Sequence, residues 1–257
     1  MAENGTLFIV GIGPGAQNEM SGRALETLSR VDTVVGYKKY IDIIAPLICG
    51  KRVISNGMTG EIERCRQALE IASKGNNVAL VCSGDAGVYG MASPLLEIAA
   101  EKNAADIEIV SGISASMSGA ALLGSPIAHD FATISLSDAL TPWKTIEKRL
   151  KLCAKADMCI VLYNPMSHKR EDTLFRACEI LLKEISTQTV CGIAQNIGRD
   201  GEKSEICTLQ ELQNKKLDMF STVFIGNSTT KRVNIVCKSG EKEFMVTPRG
   251  YIKKYEL

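Results

Sequence analysis

One carboxylate, Asp85, stands among small residues in VALVCSGDAGVYG, residues 78–90. The run opens with five apolar residues and no polar alternation, as a parallel strand buried on both faces does. It then breaks into Ser83-Gly84-Asp85-Ala86-Gly87. Glycines at a strand end let the backbone come close to a ligand. An Asp there has two uses: it stabilises its own turn, or it meets a bound cofactor. Two more turns of small residues end apolar runs, GIGPGA at 11–16 and SGISAS at 111–116.

The first of these fits G-x-G-x-x-A, the relaxed dinucleotide fingerprint. A nicotinamide-binding unit wants an acid at the end of its second strand, but here that strand ends Val34-Val35-Gly36-Tyr37, and Asp32 precedes it. Pro14 also removes an N–H where a pyrophosphate needs donors. An NAD(P)-dependent oxidoreductase therefore accounts for the first turn only. A second possibility is a cationic, phosphate-free cofactor held by backbone contacts at several strand ends, and S-adenosylmethionine fits that description.

The 257 residues carry 30 Lys and Arg against 29 Asp and Glu, a formal net charge of +1. That balance argues against a nucleic-acid binder working by bulk electrostatics. Apolar runs are far too short for a membrane span. The start, MAENGTLFIVG, lacks the basic and long apolar regions of a signal peptide, so a cytoplasmic protein is expected. Nine cysteines are scattered without a C-x-x-C, and His129 and His168 are the only histidines. No metal site is expected, and the thiols read as free, buried groups in a reducing compartment.

Elements must position these turns. Strands are expected at 6–10, 33–36, 53–54, 78–82 and 107–110. Helices are expected up to Val31, at 38–48 with an interruption at Pro46, at 61–73 and at 94–103. Pro94 reads as the first residue of its helix, with Ser93 as the cap. Such alternation with short connections predicts a mostly parallel sheet covered by helices on both faces. A helix of small residues at 117–123 ends at Gly124-Ser125-Pro126. Beyond it, strands at 132–136, 157–163, 189–194, 203–208, 221–225, 233–236 and 243–246 are joined by helices at 144–155 and 171–184. The fold class is α/β, with two α/β domains: 1–115 with a parallel sheet and 116–257 with a mixed one.

Together, GIGPG, SGDAGVYG and SGISAS resemble the tetrapyrrole (corrin/porphyrin) methylase family, a class III methyltransferase fold. In the second half, SLSDALTPW, LYNPMSHKR, NIGRDGE, FIGNSTT and MVTPRGY resemble one branch of it. That branch methylates carbon 17 of precorrin-3B or its cobalt counterpart, with ring contraction, in cobalamin biosynthesis. Methylation at another macrocycle carbon is the alternative. The resemblance implies S-adenosylmethionine in a cleft between two α/β domains, S-adenosylhomocysteine as product, a tetrapyrrole substrate and a homodimer.

Carried over by motif, cofactor contacts fall on Pro14, Ser83, Gly84, Asp85, Val88, Ser114 and Ala115, and in the second half on Asn164, Ile197 and Thr222. With the family in view, the cofactor use of Asp85 is preferred over the turn use. Asp138 and Tyr163 are the candidates for catalytic roles; the plainer readings are a turn cap before Pro142 and a core phenol. Lys169, Arg170, Arg199 and Arg249 lie inside the branch motifs. Their charge-assisted hydrogen bonds would suit the carboxylates of the macrocycle.

Overall fold

The computed structural model describes residues 5–101, 105–167, 170–238 and 240–255, with Lys253 described by its backbone only. The chain divides into two compact units, Met1–Ala115 and Ser116–Leu257.

In the first unit, strands β1 (Thr6–Gly11), β2 (Thr33–Tyr37), β3 (Arg52–Asn56), β4 (Val78–Cys82) and β5 (Asp106–Val110) are joined by helices α1 (Gly22–Arg30), α2 (Lys38–Ile44), α3 (Glu61–Ala72) and α4 (Ala92–Ala99). The sheet is wholly parallel, in the order β3-β2-β4-β1-β5. Alternate strand residues face opposite sides. Leu7, Ile9, Val78 and Leu80 pack with Ala68, Leu69 and Leu95 of α3 and α4. Phe8, Val10, Ala79 and Val81 pack with Ala24, Leu28, Ile41 and Ile44 of α1 and α2. Cover on both faces is why these strands read as unbroken apolar runs. Because β4, β1 and β5 are neighbours, the three small-residue turns leave the sheet side by side.

Pro46 ends α2 as expected, in a single 3-10 turn at Ala45–Leu47. The Pro94 helix differs from its expected start. It begins at Ala92, so Ser93 is no cap, and its hydroxyl donates to Glu97 at 2.9 Å instead. Pro94 falls third in the first turn, where no N–H has an intrahelical partner and the missing donor costs nothing.

The second unit runs through α5 (Ala115–Leu123), β6 (Gly124–Ser125), β7 (Phe131–Ser135), α6 (Trp143–Lys155), β8 (Cys159–Tyr163), α7 (Thr173–Leu181), β9 (Val190–Gln195), β10 (Lys203–Thr208), α8 (Leu209–Leu212), β11 (Ser221–Ile225), β12 (Lys231–Cys237), β13 (Gly240–Val246) and α9 (Tyr251–Tyr255). Its main sheet has the order β10-β9-β11-β8-β7, parallel between β7 and β8 and antiparallel elsewhere. Helices α6, α7 and α8 cover one face through Ile146, Leu150, Leu174, Leu181 and Leu212. On the other, α5 and β13 come so close that a Cβ on Gly192 would stand 2.6 Å from Leu123 and 3.1 Å from the Met245 sulfur. A second, three-stranded sheet has the order β12-β13-β6.

Two features here departed from the sequence pattern. The break at Gly124-Ser125 is a short strand paired with β13. Leu209–Leu212 is a single helical turn fixed by a capping box between Thr208 and Glu211, which binds both orphan amides reciprocally.

Candidate functional site

The three turns of the first unit meet through bare backbone. The Gly13 N–H donates to the Gly84 carbonyl at 3.1 Å, and the Gly84 N–H donates back to Gly13 at 2.7 Å. Both residues are left-handed, with φ of +70° and +68°, which only glycine adopts freely. A Cβ on Gly112 would stand 2.2 Å from the Gly84 oxygen and 2.6 Å from the Gly11 oxygen. The Ser21 hydroxyl, which caps α1, also donates to the Ser111 carbonyl at 3.1 Å.

Asp85 is the fastener of this cluster. One carboxylate oxygen accepts the N–H groups of Gly87 (2.8 Å) and Val88 (3.2 Å), and the other accepts that of Gly112 (3.0 Å). The plainer of the two sequence readings thus describes what the side chain does in the structure, so a cofactor contact would be additional to a turn-building role. Around it, Pro14 is buried, Ser83 and Gly84 are half-buried, and Val88 is exposed. Ser114 is buried and Ala115 opens α5. A Cβ on Gly84 would make ordinary van der Waals contacts with the backbone of residues 113–115, the nearest at 3.8 Å, so here it is the left-handed φ and not crowding that asks for glycine. Cys82, at the end of β4, supplies no thiolate: burial pushes its thiol up to about 11.

In the second unit, the register puts the ends of β7, β8 and β9 and the start of β11 at one end of the main sheet. Side chains bind this end together. Asn164, left-handed at φ +52°, donates through Nδ2 to the Ser135 hydroxyl at 3.0 Å. The Tyr163 hydroxyl accepts the Ser116 N–H in the first turn of α5 at 2.8 Å. Gln195 Nε2 donates to the Ser221 hydroxyl at 2.8 Å. Thr222 and Ile197 are buried, and Ile197 packs beside Gly119 of α5.

The same end holds a guanidinium. Arg170 Nη1 donates to the Ser137 hydroxyl and, at 3.3 Å, to Asp138 Oδ1; its Nε donates to the Ser167 hydroxyl at 3.4 Å. Two sequence candidates, Asp138 and Arg170, are therefore one ion pair. Sequence reasoning missed Ser135, Ser137 and Ser167, although each lies within or beside a branch motif. A hydroxyl residue just before Asp138 was the available signal.

The structure does not gather all four basic candidates. Arg199 lies with its guanidinium 5.5 Å from the Phe220 ring centre. Arg249 is exposed, two residues beyond Thr247, whose hydroxyl meets the Cys159 sulfur at the opposite end of β8. Arg249 thus follows a segment anchored far from Arg170. Lys169, like His168, lies outside the described residues. Among the described residues no cluster of His, Cys, Asp and Glu is fit to hold a metal ion, and no helix is long and apolar enough to cross a membrane.

Comparison with known proteins bears on this geometry. The chain is 44% identical over 246 residues to a Salmonella typhimurium protein named "Probable cobalt-factor III C(17)-methyltransferase", covering 95% of this chain and 99% of that one. It is 41% identical to the "Cobalt-factor III methyltransferase" of Priestia megaterium but spans only 46% of that protein's length. Identity to the "Precorrin-3B C(17)-methyltransferase" of a Sinorhizobium species is 35%, covering 96% of this chain and 97% of that one. Among solved structures, the methyltransferase CobJ superimposes with a TM-score of 0.85 at 32% identity, covering 95% of this chain and all of that one. The model of the tetrapyrrole (corrin/porphyrin) methylases matches residues 6–213, and the chain belongs to that family.

Proposed function

We propose that this protein is an S-adenosylmethionine-dependent methyltransferase that methylates carbon 17 of a precorrin-3-type macrocycle, with ring contraction, in cobalamin biosynthesis. The observation that carries the reading is chain-long similarity to C(17)-methyltransferases by a protein whose first unit ends in three interlocked backbone turns. Identity is higher to the relatives named for cobalt-factor III, at 44% and 41%, than to the one named for precorrin-3B, at 35%. The cobalt-containing macrocycle is therefore the favoured substrate. We take the protein to work in the cytoplasm as a homodimer.

The residues present fit the cofactor. The turn cluster offers main-chain groups and a proline where a pyrophosphate would seek a donor. Pro14, Ser83, Gly84, Asp85, Val88, Ser114 and Ala115 are assigned to hold it, Asp85 largely by shaping the turn. The cofactor supplies an activated methyl group. What the chain contributes is alignment and exclusion of water, which together are worth ~7–11 kcal/mol of a barrier when geometry is right. Arg170 is assigned to a substrate carboxylate, because a guanidinium matches that shape.

The test is incubation of the purified chain with S-adenosylmethionine and either the cobalt-containing or the metal-free trimethylated macrocycle, followed by mass spectrometry and location of the new methyl group. One methyl gained at carbon 17, fastest on the cobalt form, is expected. Methylation at another carbon would move the protein to a different branch of the family. Binding of NADH but not of S-adenosylhomocysteine in calorimetry would overturn the reading.

A further inference from the structure

We propose that Asp138 is a positioning residue that aims Arg170 at a carboxylate of the macrocycle, and that it takes no part in proton transfer. This assignment rests on the substrate class proposed above. Asp138 accepts no backbone N–H among the described residues, so it is not the cap of its own turn; the nearby Ser137 N–H goes to the Ser135 hydroxyl at 3.2 Å. Two residues on, Leu140 is 98% exposed, so this stretch of the loop is not held by packing of its tip. The described bond of the Asp138 carboxylate is to the Arg170 guanidinium.

The guanidinium is held on two sides. Ser137 and Asp138 take Nη1, and Ser167 takes Nε. A guanidinium has five N–H donors. The two on Nη2 have no partner among the described residues. They form the one edge left to receive an anion, on a side chain only 28% exposed. The partner of Asp138 cannot release its proton near neutral pH. An oxygen spent on that partner orients a charge and relays nothing. The paired carboxylate also fixes the plane of the fork, which limits the rotamer freedom lost when substrate binds.

The test is steady-state methyl transfer by wild type, Asp138→Ala, Asp138→Asn, Arg170→Ala and the Asp138→Ala/Arg170→Ala double variant, with a pH profile of kcat for each. Asp138→Ala is expected to raise the macrocycle KM about tenfold, the scale of one charge-assisted hydrogen bond. Its kcat and the shape of its pH profile stay unchanged. Asp138→Asn keeps an acceptor oxygen and recovers most of the loss. The double variant is no worse than Arg170→Ala, because residues acting as a unit are not additive. S-adenosylhomocysteine affinity stays constant throughout and reports intact folding. A fall in kcat for Asp138→Asn, a missing limb in its pH profile, or independent losses in the double variant overturns the assignment. A wild-type chain that methylates neither macrocycle overturns the functional reading instead, and this one with it.

Discussion

The two units present strand ends with different materials. In the first, glycines let three turns touch backbone to backbone, and one carboxylate fastens three amides. In the second, hydroxyls, two amides, a phenol and a guanidinium bind the strand ends through side chains. A backbone surface has a shape fixed by the fold and, where two turns touch as at Gly11 and Gly112, has no room for an added Cβ. A side-chain surface can be altered one group at a time. The cores differ too. The cluster of the first that holds Cys65 and Cys82 has two buried thiols, whereas the cluster of the second holds three, Cys178, Cys191 and Cys207, with Cys191 directly opposite Cys207 across the β9–β10 pair.

The largest expected effect follows from those thiols. Burial pushes Cys65, Cys82 and Cys207 up to about 11 and Cys178 to about 12, from an ordinary 9.0, and Cys191 well above that value. Above pH 9 the unfolded chain gives up these protons while the folded one keeps them. Stability is complete below pH 9 and drains away as pH rises toward 11 and 12. Each thiol contributes about 1.4 kcal/mol per unit of separation. With three of the five, the second unit should fail first. Trp143, the sole tryptophan, packs against that unit's core. Its fluorescence should therefore report unfolding at pH 10 before circular dichroism shows loss of the first unit's helices. Coincident transitions, or a melting temperature flat between pH 8 and pH 11, would erase this difference between the cores.

Next in size is the contrast between Gly112→Ala and Ser135→Ala. The added methyl at Gly112 has backbone oxygens at 2.2 and 2.6 Å, and backbone cannot swing aside. Overpacking costs about 1–3 kcal/mol and occasionally more, and this site belongs at the upper end. Ser135→Ala removes an acceptor used by Asn164 and Ser137, about 1 kcal/mol. Urea unfolding of both variants measures the gap. Equal costs would mean that the two strand ends are equally adaptable.

The two carboxylates show how far the sequence could be read. The parallel sheet was legible because burial on both faces leaves an unbroken apolar signature, and the turns were legible because glycine is a conformational requirement. Asp85 was visible as the one charge in its turn, but its partner at Gly112 is 27 residues away. No local pattern carries that distance, and it is the family resemblance that tips the sequence reading toward the cofactor use. For Asp138 the plainer reading, a turn cap, was the one that failed. Its partner Arg170 lies 32 residues on and was named for a separate role. Spacing along the chain gives residues that share a turn, and only the folded register gives residues that share an end of a sheet. For the same reason Arg249 looked equivalent to Arg170 in its motif and follows a segment anchored at the opposite end of β8.

Asp85 gives the smallest and most discriminating effect. If it is chiefly a fastener, replacement should follow hydrogen-bond geometry and not charge. Asp85→Asn can keep the oxygen that serves Gly87 and Val88 but turns an NH2 group toward the Gly112 N–H. Asp85→Ala leaves all three amides without their acceptor. A buried group left unpaired costs about 1–3 kcal/mol, and the cost is less here because the turn is partly exposed and water can reach some of it. Asn is thus expected to lose about 1 kcal/mol of stability and Ala about twice that, with S-adenosylhomocysteine affinity falling in the same order. A carboxylate that also met a cation directly would lose affinity equally in Asn and Ala, while stability still fell in the order of the amide bonds lost. Calorimetric titration beside urea unfolding of the two variants separates these patterns. Affinity lost in full by Asp85→Asn, out of proportion to its small loss of stability, would assign Asp85 to the ligand as well and leave the first unit's end less purely a backbone surface.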